Sequence, residues 1–362
     1  MPHSDRIGVV DFPTLGDLVD GWITQHCMVP DGFRRRDPFV QYDWQFWCTA
    51  NHYRVREDVK FDPTDPPLNQ AFVNRRTDVV ASQKTGKGPW AACLLATMAV
   101  GPSEFAGWAK RGDVYDCEDH GCACGWYFEY EPGEPMGMRH PSPLIQALAT
   151  SQEQVANVWR PLTAMIRFQG SPLGKLLLPR EDFIRIVGPN DDDPELDRID
   201  AVTSSAQSRL GNPISGYVQD ETGTHTKQNG MAAVDSAQRR GAAGMGGRGF
   251  TTTNPWDSAQ QSVAQRDFEA DAPDVFTFWC PPPKHLDFYD DEERRLILLH
   301  NYAGSPHVSV DSVDAEATDM IAKGEGPLAE RFFGNRVVEA SGSWITDDLW
   351  RSAYAGADDV AA

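Results

Sequence analysis

Apolar positions along the chain follow two rhythms, and their alternation predicts a layered α/β domain. Helical spacing runs over residues 15–27 and gives way to a loop at Pro30-Asp31-Gly32. An aromatic-rich stretch over 43–53 reads as a second helix, and Pro63 to Pro67 as a loop. Residues 77–82 read as a short buried strand, 90–100 as an apolar helix, 144–150 as a strand, and 151 to about 166 as the helix behind it. Further short strands are expected at 183–187, 199–203, 214–219 and 250–254, with a helix over 232–240. Strands alternating with helices in this way predict a mainly parallel sheet flanked by helices, with its chemistry beyond the carboxyl ends of the strands. From about Pro273 the rhythm changes. One strand (275–280) leads into Pro281-Pro282-Pro283, and helices follow at 291–302, 314–322 and 327–333. The expected organisation is a principal domain over 1–272 with an insertion at about 112–135, a small mostly helical subdomain over 273–340, and a tail over 341–362.

With 362 residues, 40% of them hydrophobic, the chain can bury a large core. No apolar run approaches the ~18 residues of a membrane span, and the first residues lack the basic-then-apolar layout of a secretory leader. A soluble intracellular protein without membrane contact is therefore expected. Seven cysteines are too few for a disulfide scaffold of this length. Cys27, Cys48, Cys93 and Cys280 are scattered and read as ordinary buried thiols. The net charge of −20 argues against a broad, permanent nucleic-acid surface, because phosphate binding rests on Lys and Arg. A local basic stripe, or contacts made and broken in a cycle, remains compatible with it.

The expected strand at Val79-Val80 runs into Ala81-Ser82-Gln83-Lys84-Thr85-Gly86-Lys87-Gly88 and then a helix. A strand, a Gly-Lys loop and a helix start can cradle the phosphates of a nucleotide. Backbone N–H groups and the positive helix end face the anion, and Lys87 reaches the outer phosphates. The match to the common phosphate-loop pattern is imperfect, since Ala81 replaces its first glycine and Gly88 replaces the Ser/Thr that binds Mg2+. Downstream, the strand at 214–219 ends in Asp220-Glu221. A nucleotide-hydrolysing site needs such a pair, with Asp220 supporting Mg2+ and Glu221 polarising the attacking water. The next strand ends in Thr252-Thr253-Asn254, small hydroxyl and amide groups that can touch the γ-phosphate or else cap the following helix. Arg209, on a loop before the acidic strand, is a candidate for stabilising phosphate charge across a subunit interface.

Taken together, the segments ASQKTGKGPWAA, PLIQALATSQEQVANVW, GNPISGYVQDETG and GGRGFTTTNPWDSAQQSVAQ resemble the large terminase subunit of tailed phages over roughly residues 30–350. That family tolerates phosphate loops lacking the first glycine. The resemblance implies a P-loop NTPase fold with a helical lid subdomain. It implies an ATPase motor that uses ATP and Mg2+ to drive double-stranded DNA into a procapsid, working as a homo-oligomeric ring with a portal protein and a small terminase subunit in the host cytoplasm. It assigns the phosphate lysine to Lys87, the metal-side acid to Asp220, the catalytic carboxylate to Glu221, coupling to Thr252, Thr253 and Asn254, the trans-acting arginine to Arg209, and adenine reading to Gln45. The nucleotide-binding turn is Ser82, Gln83, Lys84, Thr85, Gly86, Lys87 and Gly88. The sequence ends shortly after Trp350, so no C-terminal nuclease domain and no DNA cleavage are expected of it. A helicase-like DNA-dependent ATPase and a degenerate nucleotide-gated assembly module are the alternatives.

One feature falls outside that scheme. Cys117, His120, Cys122 and Cys124 place four metal-type ligands within eight residues, in the expected insertion. Cys3His is a structural zinc set, but zinc sites commonly pair two distant half-sites, and a reduced hairpin without metal is the other reading. With four protein ligands such a zinc would be structural.

Overall fold

The computed structural model describes residues 8–149, 152–180, 183–187, 196–203 and 212–339. Arg209 and the tail over 341–362 lie outside the described residues. In chain order the elements are α1 (Gly16–His26), α2 (Asp43–His52), β1 (Arg76–Val80), α3 (Lys87–Val100), β2 (Glu104–Trp108), β3 (Val114–Asp116), β4 (Tyr127–Glu129) and β5 (Pro135–Met138). There follow β6 (Leu144–Leu148), α4 (Gln152–Arg167), α5 (Leu173–Leu176), β7 (Leu177–Pro179), β8 (Phe183–Ile186), β9 (Arg198–Val202), β10 (Gly216–Asp220), α6 (Met231–Gly244) and β11 (Arg248–Thr253). The last elements are α7 (Val263–Ala270), β12 (Val275–Trp279), α8 (Asp291–Tyr302), α9 (Val310–Ala322) and α10 (Gly326–Phe332).

Eight strands form one sheet in the order β12-β1-β11-β10-β6-β9-β8-β7. The first six run parallel, as expected, and β8 and β7 add an antiparallel edge. Two differences from the expected layout stand out. The expected helical subdomain over 273–340 includes the strand at 275–280, yet β12 pairs with β1 along its whole length and belongs to the central sheet. The helical subdomain thus begins only after Cys280. The insertion between α3 and β6 contains two small antiparallel pairs, β2 with β5 and β3 with β4.

Successive side chains of β10 serve opposite faces, as the pleat requires. Val218 joins the main core with α1, α2, α3 and α4, whereas Tyr217 packs with Ala242 of α6. That second face also holds buried charge. Arg76 pairs with Asp78 (2.9 Å) and Asp267 (3.2 Å), while Arg239 pairs with Asp235 (3.0 Å) and Asp267 (2.7 Å). Charged residues in β1 are therefore compatible with a fully buried strand, because each guanidinium faces carboxylates rather than hydrocarbon.

After Cys280 the helices α8, α9 and α10 enclose a core of their own, built on Phe288, Ile297, Leu298, Tyr302, Ala317, Ala329 and Phe333. Asp290 caps α8 by accepting from the Glu292 and Glu293 N–H groups (both 3.0 Å), and Ser309 caps α9. Among the described residues no helix is long and apolar enough to cross a membrane.

Candidate nucleotide site

Strands β1, β10 and β11 are parallel and adjacent, so their carboxyl ends lie together at one edge of the sheet. That geometry unites residues that the sequence separates by more than a hundred positions. The turn after β1 runs from Ala81 to Gly86, with Gly86 (φ 95°) and Lys84 (φ 69°) in the left-handed region, and α3 starts at Lys87. Ala81 N–H donates to the Thr253 carbonyl (3.1 Å), which continues the β1–β11 ladder into the turn.

Lys87 is buried. Its Nζ donates to the carbonyl oxygens of Ala81 (2.8 Å) and Ser82 (2.7 Å) and to Asn254 Oδ1 (3.1 Å). Asn254 Nδ2 in turn donates to both carboxylate oxygens of Glu221 (3.1 and 3.0 Å). A continuous line thus joins the lysine that opens α3, the amide just after β11 and the acid just after β10. Glu221 sits at φ 57°, a left-handed conformation that costs a non-glycine residue energy and is tolerated where the surroundings enforce it. Asp220 is buried beside it and accepts from Thr252 Oγ1 (2.6 Å). Burial, and then the charge of Glu221, push the Asp220 carboxyl up to about 7. Burial likewise lowers the Lys87 ammonium, against the opposing pull of Glu221 and Asp220. Thr253 Oγ1 accepts from Gly223 N–H (2.8 Å) and donates to the Asn254 carbonyl (2.7 Å), tying the loop after Glu221 to the end of β11.

Gly88 has a steric explanation. A Cβ at this position would come within 2.7 Å of the Asn157 carbonyl oxygen of α4. Pro161 lies inside α4 and has no N–H to close the helical bond to that carbonyl. Helix α4 therefore turns a carbonyl outside its own ladder towards the first turn of α3, where a Cβ would collide with it. The nearby hydroxyl of Thr85 donates to the Ser82 carbonyl (2.9 Å).

Beside the turn lies a cleft of about 450 Å³, lined among others by Arg34, Tyr42, Gln45, Gly86, Pro89 and His307. Gln45 is on its wall. Gln45 Oε1 accepts from the Tyr42 N–H (3.0 Å), closing the start of α2, and Nε2 lies 3.5 Å from the Gly86 carbonyl. Sequence reasoning found Gln45 but missed Tyr42 and His307. Their rings stack at 5.6 Å, and the Tyr42 hydroxyl is 2.9 Å from His307 Nδ1. His307 Nε2 donates to the Lys84 carbonyl (2.9 Å), so Nδ1 is the acceptor for Tyr42. No local signal marks His307, which arrives from the loop between α8 and α9.

The helical subdomain grips the same turn at several points. Gln83 N–H donates to the Phe332 carbonyl (2.8 Å), Ser82 Oγ to that of Phe333 (3.2 Å), Tyr302 to that of Gln83 (2.9 Å) and Ser305 to that of Thr85 (3.1 Å). Arg331, also missed, reaches from α10 to the carbonyls of Pro255 (2.6 Å) and Gly223 (3.3 Å), directly after Asn254 and two residues beyond Glu221.

The cysteine loop requires a correction. Cys117, Cys122 and Cys124 do converge, but the imidazole that joins them is His26 of α1, not His120. His120 stacks on Tyr115 at 4.3 Å and stands apart from the thiols. One short turn can aim three side chains at a point; the fourth comes from a different element.

No protein-family model and no curated protein matches this sequence. Solved structures do resemble it. The structure of the HK97 bacteriophage large terminase aligns with a TM-score of 0.58 and 16% identity, covering 90% of this chain and 55% of that one. The large terminase of a thermophilic bacteriophage, solved in complex with ADP, aligns at 0.43 with 10% identity, covering 76% of this chain and 51% of that one. The ATPase domain of the Thermus phage P74-26 large terminase aligns at 0.39 with 10% identity, covering 75% and 93%. The last two scores are too low to add weight. This chain therefore has a large-terminase fold over nine-tenths of its length, and it spans about half the length of the HK97 protein.

Proposed function

We propose that this chain is the ATP-hydrolysing motor portion of a phage terminase large subunit, powering movement of double-stranded DNA into the procapsid. The observation that carries the reading is the line Lys87–Asn254–Glu221 beside Asp220, at the ends of three neighbouring parallel strands on a large-terminase fold. In this reading adenine lies in the cleft beside Gln45, and the phosphates lie over residues 82–88 at the positive end of α3. Lys87 exchanges the carbonyls of Ala81 and Ser82 for phosphate oxygens. Glu221 orients the attacking water and accepts its proton. Asn254 touches both of these groups, so loss of the γ-phosphate contact is felt at once by β11. Thr252 and Thr253 belong to the same coupling strand, and Arg331 carries the change to the helical subdomain, which acts as a lid.

Mg2+ suits the acid end of the site. Asp220 is buried, one of its oxygens is held by Thr252, and its carboxyl is pushed up, so a cation alongside would restore the ionised form. When bound, Mg2+ would neutralise charge on the phosphate oxygens. Arg209 of a neighbouring subunit in a homo-oligomeric ring completes the site in this scheme. The portal protein, the small terminase subunit, duplex DNA and a host-cytoplasmic location follow from the same reading. The packing of Asn157 over Gly88 speaks against a decayed, purely assembling phosphate loop, since the missing hydroxyl has a structural cause.

The test is ATP turnover with and without duplex DNA. Glu221→Gln and Lys87→Ala should each reduce turnover by at least about 10²-fold, with nucleotide binding retained in the first. Unchanged turnover in both variants would refute the site. ATP-driven strand separation without procapsid filling would favour the helicase-like alternative.

A further inference from the structure

The group formed by His26, Cys117, Cys122 and Cys124 has no part in the nucleotide site. We propose that it is a closed structural zinc site, with His26 as the fourth ligand, that staples the β3–β4 insertion to the end of α1.

The distances support a single ion. His26 Nε2 lies 3.6 Å from Cys117 Sγ, 3.4 Å from Cys122 Sγ and 3.5 Å from Cys124 Sγ. All four ligand atoms lie within 4.8 Å of one another. Zinc with Zn–S of about 2.3 Å and Zn–N of about 2.0 Å at tetrahedral angles sets its nitrogen roughly 3.5 Å from each sulfur. The three observed separations scatter around that value.

Hydrogen bonding alone does not account for the group. His26 Nδ1 lies 2.8 Å from the Trp22 carbonyl, which can only accept, so Nδ1 carries the proton. Nε2 then offers one lone pair, and three sulfurs converge on it. A lone pair can accept one S–H well, not three. A cation at the centre satisfies the nitrogen and three thiolates together, and the thiols give up their protons on binding. The carbonyl behind Nδ1 is also the usual support for a metal-bound imidazole.

The surroundings hold the ligands in place. His26 is buried and stacks on Trp22 at 4.3 Å, with Trp126 edge-on at 6.1 Å. Cys117 and Cys122 are buried, and the turn that carries them uses Gly121 (φ 83°) and Gly125 (φ 76°) in the left-handed region. The strands that this turn joins are only three residues each, so the insertion has little core of its own. Three sulfurs and one nitrogen leave no open position, and the role is structural.

The test is the zinc content of the purified full chain by elemental mass spectrometry. Close to one equivalent is expected. His26→Ala and Cys122→Ser should lose it, whereas His120→Ala should keep it. Less than about a tenth of an equivalent, in protein folded with zinc present, would overturn the proposal. Loss in His120→Ala with retention in His26→Ala would also overturn the ligand set. If the His26 and Cys122 variants fail to fold, cobalt replacement in the unaltered protein decides. Intense visible bands of a tetrahedral thiolate site support the assignment; the weak spectrum of an octahedral ion contradicts it. Each readout is independent of ATP turnover.

Discussion

Gly88 shows how one residue answers to a distant one. Restoring the usual hydroxyl by Gly88→Ser should not improve the site. The new Cβ meets the Asn157 carbonyl at 2.7 Å, so the fold should lose about 1–3 kcal/mol, read from urea melts. A variant of unchanged stability and raised turnover would contradict that account. Asp220 gives a second prediction at this scale. Its folded carboxyl titrates near 7, whereas an unfolded aspartate titrates at about 3.9. Between those values the native state binds more protons than the unfolded one, so this residue's contribution to stability falls as pH rises. Asp220→Asn, inactive in the proposed scheme, should therefore melt higher than the parent at pH 8, and the advantage should fade towards pH 4. Parallel melting curves at every pH would exclude the effect. Both acids and Lys87 were legible in the sequence because motif spacing names them. Thr252 and Asn254 were named too, but not that Thr252 holds Asp220 or that Asn254 bridges Lys87 to Glu221.

Among elements, the informative link joins α10 to the ends of β10 and β11. Arg331 holds carbonyls on both segments, and Gln83 ties the turn after β1 to the end of α10. Replacing Arg331 by methionine leaves two carbonyls without their charged donor, at a cost of about 1–3 kcal/mol. If α10 transmits the state of the site, this variant should lower kcat more than it raises KM for ATP. A proportional change in both would mark Arg331 as a simple fastener. The buried charges under α6 and α7 make a different prediction. Arg239→Ala strands Asp235 and leaves Asp267 with Arg76 alone, and should destabilise by roughly 3–5 kcal/mol, measured by chemical denaturation. At this scale the sequence read β1, β6, β10, β11 and α8 to within a residue or two, because apolar spacing marks them. It misplaced β12, since nothing local says which sheet edge a strand joins.

For the whole molecule, charge is the governing quantity. A chain with a net charge of −20 has no surplus of cations for a wide basic face, so if it moves duplex DNA as proposed, the contact rests on few of them. If two or three phosphates are neutralised per subunit, DNA affinity should fall roughly 10- to 50-fold between 50 and 200 mM salt. Stimulation of turnover by DNA, titrated at both salt levels, measures this. A loss of 10³-fold or more would mean a broader contact than the composition allows.

The sequence by itself determined the layered fold and named the Gly-Lys turn, the acidic pair and the strand end at Thr252 to Asn254. These depend on periodicity and short motifs, and such information is local. Only the tertiary structure decided that His26 joins the cysteines, that Asn157 forbids a side chain at Gly88, that His307 borders the cleft and that Arg331 ties α10 to the loops after β10 and β11. Each of these is a meeting of segments far apart in the chain, and which distant side chains meet is fixed by packing, for which local sequence holds no address.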